Sequence, residues 1–99
     1  MKNVLVDMSA TLIHHGHIRL LQKASELGSV TVALTTDEEI LKYKGYIPEL
    51  NFLQRKEILE AIRYVDNVIA SPWELNLDFF ISTGADFLIH GDDNKNDIP

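Results

Sequence analysis

The chain has 99 residues, 45% of them hydrophobic, no cysteine and a formal net charge of −6. That length and composition allow one small domain with a buried core and exclude a disordered polar tract. The charge argues against a nucleic-acid or anionic-membrane surface, and the lack of cysteine excludes a disulfide scaffold and suits a reducing compartment. No apolar run reaches spanning length, and Asn3 to Met8 is too short, with too acidic a flank, for a signal peptide. A cytoplasmic protein is expected.

In chain order, Val4-Leu-Val-Asp-Met8 reads as a strand covered on both faces. A helix is expected from about Gly16 to Leu27, because Ile18, Leu21, Ala24 and Leu27 repeat at helical spacing and Gly28 sits where a C-cap glycine belongs. Ser29 to Thr35 is rich in β-branched residues and predicts a second buried strand. Thr36-Asp-Glu-Glu39 matches a capping box and should start a short helix, which Tyr43-Lys-Gly-Tyr-Ile-Pro48 breaks into a loop. Asn51 with Gln54 caps a longer helix expected to end near Tyr64, with Ile58, Ala61, Ile62 and Val65 as its core stripe. Leu59 falls off that stripe and is expected to face a partner chain. Asn67 to Ala70 reads as a third strand. Ser71-Pro-Trp-Glu74, a capping box with proline at the first helical position, predicts a helix from there to about Thr83. Phe87 to His90 is the fourth strand, and Asn94 to Pro99 is a polar tail.

Strand and helix alternate throughout, which implies an α/β fold, a Rossmann-like parallel sheet with helices on both faces. Ligands of such sheets bind beyond the strand carboxyl ends. Ser9 to His17, Thr35 to Asp37 and Gly91 to Asp93 all follow strand ends and should share one rim. The first of these carries three histidines and a glycine in His14-His-Gly-His17. Glycine lets backbone approach a ligand, and the free N–H groups of a helix start attract an anion. His14 and His17, three apart, can face one way and donate to phosphate oxygens. Two plainer readings compete. A zinc site would have only His14 and His17 where a structural zinc wants four ligands, and the histidines could simply be solvated surface.

The sequence resembles the cytidylyltransferase family, which includes glycerol-3-phosphate and phosphoethanolamine cytidylyltransferases. The matching residues are His14-His-Gly-His17 (the HxGH signature), Thr36-Asp-Glu38, Lys44-Gly45, Gln54-Arg-Lys56, the run Ile62 to Ile69 and Gly91-Asp-Asp93. They cover nearly the whole chain in the right order. Met8-Ser-Ala-Thr-Leu-Ile-His14 is most similar to a variant fused to phosphoenolpyruvate mutase. The resemblance implies a single HxGH-type nucleotidyltransferase domain over residues 1–99 that transfers a cytidylyl group from CTP to a small phospho- or phosphono-substrate and releases pyrophosphate. His14, His17 and Lys44 would be catalytic, meeting the phosphates. Ser9, Ala10, Gly16, Arg55, Arg63, Trp73 and Asp93 would bind the nucleotide, with Asp93 near the ribose and Arg63 and Trp73 near the cytidine pocket. No side chain is expected to hold a metal; Mg²⁺ would ride on the triphosphate. A homodimer is implied through Arg63 to Ile69.

Two departures stand out. Thr11 replaces the acidic residue that usually precedes HxGH, and the family's final strand with its Arg-Thr-x-Gly-Ile-Ser-Thr helix start has no counterpart. The domain is therefore expected to be C-terminally incomplete. In the family strand order 3-2-1-4-5, Phe87 to His90 should then be an open edge. Taken singly, other residues have plainer roles: Lys44 as a solvated loop cation, Arg63 as a partner of an acid, Trp73 as core or interface, Asp92 and Asp93 as a turn.

Two other functions remain open at this level. Val4-Leu-Val-Asp-Met-Ser-Ala-Thr-Leu12 resembles the first motif of haloacid-dehalogenase phosphatases, with Asp7 as nucleophile, and Gly91 to Asp97 resembles their acidic metal motif. A nucleotide-binding or dimerising module without catalysis is the third reading.

Overall fold

Strand β1 (Asn3–Met8) forms where the apolar run lies, and every one of its residues after Asn3 is buried. In this computed structural model, which describes residues 2–11 and 13–91, it is the centre of a four-stranded parallel sheet. The remaining elements are α1 (His15–Leu27), β2 (Ser29–Thr35), α2 (Asp37–Lys44), α3 (Phe52–Glu60), β3 (Asn67–Ser71), α4 (Leu77–Thr83) and β4 (Phe87–His90). The strand order is β3-β2-β1-β4, and every neighbouring pair is parallel. All four strand ends therefore share one rim, and among the described residues β4 pairs with β1 alone. No described helix is long and apolar enough to cross a membrane.

Val4, Val6 and Met8 of β1 meet Val30, Val32 and Leu34 of β2 and Val68 of β3 on one face, with Leu21 and Ala24 of α1 and Leu59 of α3 packed over them. The right-handed crossover from β3 to β4 runs the other way across the sheet and so carries α4 over the opposite face. On that face lie the alternate residues of β1, Leu5 and Asp7, both buried. Gly28 closes α1 for a reason other than a left-handed cap. A Cβ there would lie 2.1 Å from the Lys2 carbonyl oxygen, which the next amide, Ser29, uses as its acceptor at 2.9 Å.

Three expectations are corrected. First, α3 ends at Glu60 rather than near Tyr64. Ala61, Ile62 and Val65 tighten into i to i−3 bonds, and Asp66 then ties β3's entry to Val30, its carboxylate accepting from the Val30 amide at 2.8 Å. Second, the core stripe of α3 is rotated. Leu59 is 0% exposed and Ile58 40%, because the buried face runs Phe52, Arg55, Leu59 and Ile62 and includes the fully buried Arg55. Leu59→Ala should accordingly cost about 2–5 kcal/mol in urea unfolding and Ile58→Ala well under half as much; equal effects would contradict this phase. Third, no helix starts at Ser71. It is the last residue of β3, paired with Thr35, and its hydroxyl donates to the Pro72 carbonyl at 2.8 Å. Helix α4 begins six residues later, capped by Asn76, whose side chain accepts from Phe79 N.

Among the described residues the outer edge of β4 has no partner strand, and this has a measurable consequence. An unpaired strand edge leaves N–H groups to water, so roughly alternate amides of Phe87 to His90 should exchange fast while those of β1 and β2 stay protected. Uniform protection of β4 in a monomer would contradict the described topology.

Candidate functional site

The site is built on the turn that leaves β1. Ala10 takes a left-handed conformation, φ 49°, a costly one for a residue with a Cβ, and the chain reaches α1 with His14 as its N-cap. His14 Nδ1 accepts from the Gly16 amide at 3.0 Å, and His17 Nδ1 accepts from the His14 amide at 3.2 Å. This is a capping box made of two imidazoles. It also sets their chemistry. A ring whose Nδ1 accepts a backbone N–H carries its proton on Nε2 when neutral. Both histidines are thereby held as Nε2–H donors beside the positive end of a helix. The rings lie 4.3 Å apart between centroids; His14 is exposed and His17 buried.

Gly16 is required by the first ring. A Cβ at Gly16 would stand 2.7 Å from His14 Cε1 and 3.0 Å from Nδ1. The ring can swing away, so Gly16→Ala should leave the fold intact, with alanine's better helix propensity offsetting the lost cap. The expected result is a melting temperature close to wild type with much reduced anion binding; unchanged anion binding would break the link between this glycine and the ring.

Arg55 holds the floor of the turn. Its guanidinium is 0% exposed and donates to the Ser9 carbonyl at 2.6 Å and the Thr35 carbonyl at 2.9 Å from Nη1. Nε donates to the Leu50 carbonyl at 3.1 Å, and Nη2 pairs with Asp37 at 2.6 Å. The other oxygen of Asp37 accepts from the Phe52 amide at 3.0 Å. Arg55 thus joins the ends of β1 and β2 to the starts of α2 and α3. Expected at the nucleotide, it lies instead beneath the turn, with no surface to offer a ligand.

On the β2 and β3 side, Lys44 ends α2 and its Nζ lies 5.8 Å from the centroid of the Trp73 ring. Trp73 stacks with Tyr43 at 5.8 Å and 14°, and its amide donates to Glu39 at 2.8 Å. The structure therefore brings Lys44 and Trp73 together. It does not bring Arg63 to them. Arg63 is exposed in the turn before β3, at the opposite end of the sheet, and its guanidinium sits over the neighbouring Tyr64 ring at 5.3 Å. The length of a five-residue strand, about 15 Å, separates it from the rim. Asp93 lies outside the described residues. Sequence reasoning missed Asp37 and Glu39 as anchors: the capping-box pattern had accounted for Glu39, whose carboxylate instead accepts from the Trp73 amide, and nothing local marked Asp37 as the partner of Arg55.

On the β4 side, the Asp7 carboxylate meets His90 Nδ1 at 3.1 and 3.2 Å and the Gly91 amide at 3.3 Å. Its side chain is 3% exposed and that of His90 53%. The nucleophile that a phosphatase would need is thus enclosed and hydrogen-bonded by its neighbouring strand.

The family model described as cytidylyltransferase-like matches residues 9–99. The chain belongs to the cytidylyltransferase-like family. It is 41% identical over 97 residues to the glycerol-3-phosphate cytidylyltransferase of Bacillus subtilis, covering 94% of this chain and 73% of that one. It is 38% identical over 92 residues to the ethanolamine-phosphate cytidylyltransferase of Dictyostelium discoideum, covering 91% of this chain but only 25% of the relative. The FAD synthase of Pyrococcus horikoshii is 36% identical over 96 residues, covering 95% and 65%. This member of the cytidylyltransferase-like family thus spans between a quarter and three quarters of these relatives. Among solved structures, the lipopolysaccharide core biosynthesis protein from Thermoplasma volcanium superposes with a TM-score of 0.77 at 22% identity, over 89% of this chain and 72% of that one. That likeness shows the shared fold.

Proposed function

We propose that the chain is a nucleotidyl-transfer domain that moves a cytidylyl group from CTP to a small phospho- or phosphono-substrate and releases pyrophosphate. The observation that carries this is the imidazole capping box: two Nε2–H donors fixed at a helix start on the strand-end rim. An acceptor oxygen attacks the α-phosphorus, the bond from that phosphorus to the bridging oxygen breaks, and its electron pair leaves with pyrophosphate. The attacking phosphate or phosphonate oxygen is already ionised, so no base is needed. The domain's work is to hold the groups in line and offset developing charge. His14 and His17 donate to the triphosphate. Lys44, beside Tyr43 and Trp73, is a cation for the acceptor's charged end. Ser9, Ala10 and Gly16 bring backbone close to the nucleotide, while Arg55 acts through the turn it supports.

Mg²⁺ would supply charge neutralisation on the triphosphate. The names of the relatives span two phospho-acceptors and a flavin dinucleotide, so both the nucleotide and the acceptor need testing.

The test is pyrophosphate release with CTP and, separately, ATP, each with glycerol 3-phosphate, ethanolamine phosphate and 2-aminoethylphosphonate. Release with CTP and one acceptor is expected. Release with ATP alone would replace CTP, and binding of nucleotide without release would leave a binding module. A cytoplasmic homodimer belongs to the same proposal, resting on the likeness of Arg63 to Ile69, since Leu59 is in the core. A monomer mass by light scattering at high concentration would remove the dimer.

A further inference from the structure

The transfer proposed above makes no use of the outer edge of β4. Edge strands are commonly blunted by lysine, proline or a bulge, because open N–H and C=O groups otherwise template pairing with another chain. β4 reads Phe-Leu-Ile-His, and its register against β1 is unbroken. Its Phe87 is 42% exposed and its Leu88 38%. At the other edge of the sheet, the exposed residues of β3 are Asn67 and Ala70. One edge thus offers water a polar and a small side chain, the other two large apolar ones.

Ladder geometry fixes which backbone groups face out. The Gly91 amide donates to the Asp7 carbonyl at 2.6 Å, and Asp7 stands opposite His90 in the register. In a parallel ladder a residue bonded this way reaches the two neighbours of its opposite residue, whose own N–H and C=O point away. His90 therefore turns its backbone groups outward, and so does Leu88, two residues earlier. Ile89 between them bonds inward to β1. Side chains alternate as well. Phe87 and Ile89 stand beside Val4 and Val6 on the α1 face, and Leu88 beside Leu5 on the face that α4 crosses.

We propose that β4 pairs antiparallel with β4 of a second copy of this chain, about a twofold axis at Leu88, joining two four-stranded sheets into one. Such an axis makes the interface self-complementary. Leu88 faces Leu88 and exchanges both backbone bonds with it, since both turn N–H and C=O outward. Phe87 of each copy comes opposite Ile89 of the other, an aromatic with a β-branched side chain, the kind of cross-strand pair that stabilises a sheet. One position beyond, Asp86 of each copy comes opposite His90 of the other, so a carboxylate that also holds the Asn3 amide at 2.8 Å meets an imidazole. A register shifted by one pair either way would set Leu88 against His90 or Asp86. The exposed Leu77 and Ile81 of α4 add apolar surface on the Leu88 side of the sheet. The dimer surface proposed at Arg63 to Ile69 adjoins β3, at the other edge, so the two are separate. This pairing needs neither nucleotide nor the transfer reaction.

The whole chain has no cysteine, so a single introduced thiol reports its own neighbours. In a hydrogen-bonded antiparallel pair opposite Cα atoms are about 5.5 Å apart, within disulfide range. Leu88→Cys should therefore oxidise to a covalent dimer. Phe87→Cys should not, because its counterpart lies two residues along the other copy's strand, beyond the roughly 7 Å that a disulfide bridges. Hydrogen exchange on the unaltered chain is the second readout. At about ten times the dissociation constant, the Leu88 and His90 amides should exchange about 10-fold more slowly than in dilute solution, with Ile89 unchanged. Leu88→Lys should halve the mass found by light scattering at high concentration, whatever other surface associates. Equal oxidation of both cysteine variants, an unchanged mass in Leu88→Lys, or exchange at Leu88 and His90 that ignores concentration overturns the inference. So does slow exchange of both amides in a monomer, which would mean that residues after Gly91 cover the edge.

Discussion

Replacing His14 or His17 with alanine should slow pyrophosphate release about 10²–10³-fold, the usual loss for one strong donor at a developing charge. Each ring, however, is also half of the helix cap, so alanine removes a structural bond and a chemical one together. The cap should cost about 1 kcal/mol, or about 4–8 °C in Tm for a domain of this size. His14→Asn separates the two roles. Asparagine caps well through its own oxygen but is too short to place a donor where Nε2 stood. The His14→Asn protein should melt close to wild type and transfer as slowly as His14→Ala. Full activity in His14→Asn would show that His14 is only a cap.

Arg55→Leu should be the most destabilising single change, at about 3–5 kcal/mol. It removes one donor each from the Ser9, Thr35 and Leu50 carbonyls and the cation from Asp37 in a single step. Small domains hold only about 5–15 kcal/mol in total, so a large part of the stability depends on this side chain. Arg55→Lys keeps the charge but not the planar fork and should recover only part of it. Asp37→Asn should cost less, about 1–2 kcal/mol, because an amide oxygen still accepts and the Asp37 side chain is 36% exposed to water. Urea unfolding midpoints, with m unchanged, measure all three. An Arg55→Leu midpoint equal to wild type would show that the carbonyls find other donors. Because Ser9 leads directly into the Ala10 turn, a slower transfer rate should accompany the lost stability.

Local rules explain why much of this protein can be read without coordinates. Apolar runs bounded by polar turns placed all four strands, and side-chain caps marked Thr36 and Asn51 as the starts of α2 and α3. The start of α1 near Gly16 was legible for the same reason, although the two imidazole caps that fix it were not foreseen. Strand–helix alternation with right-handed crossovers then put the turn on the rim. Tertiary structure decided the rest. Arg55 looked like a ligand residue because a charge is normally solvated; only the meeting of Ser9, Leu50, Thr35 and Asp37 around it makes burial tolerable, and these lie up to 46 residues away in the chain. That burial in turn rotated α3, placing Leu59 inside and Ile58 outside. Ser71 carried every local sign of a helix start, yet its pairing with Thr35 kept it in the strand. Arg63 was carried to the far end of the sheet because α3 must return there before β3 can run parallel. Asp7 and His90, 83 positions apart, acquired a relation only when β4 paired with β1. Contacts within one turn of chain are encoded locally; the burial of a charge, the phase of a helix and the pairing of Asp7 with His90 depend on partners that only folding brings together.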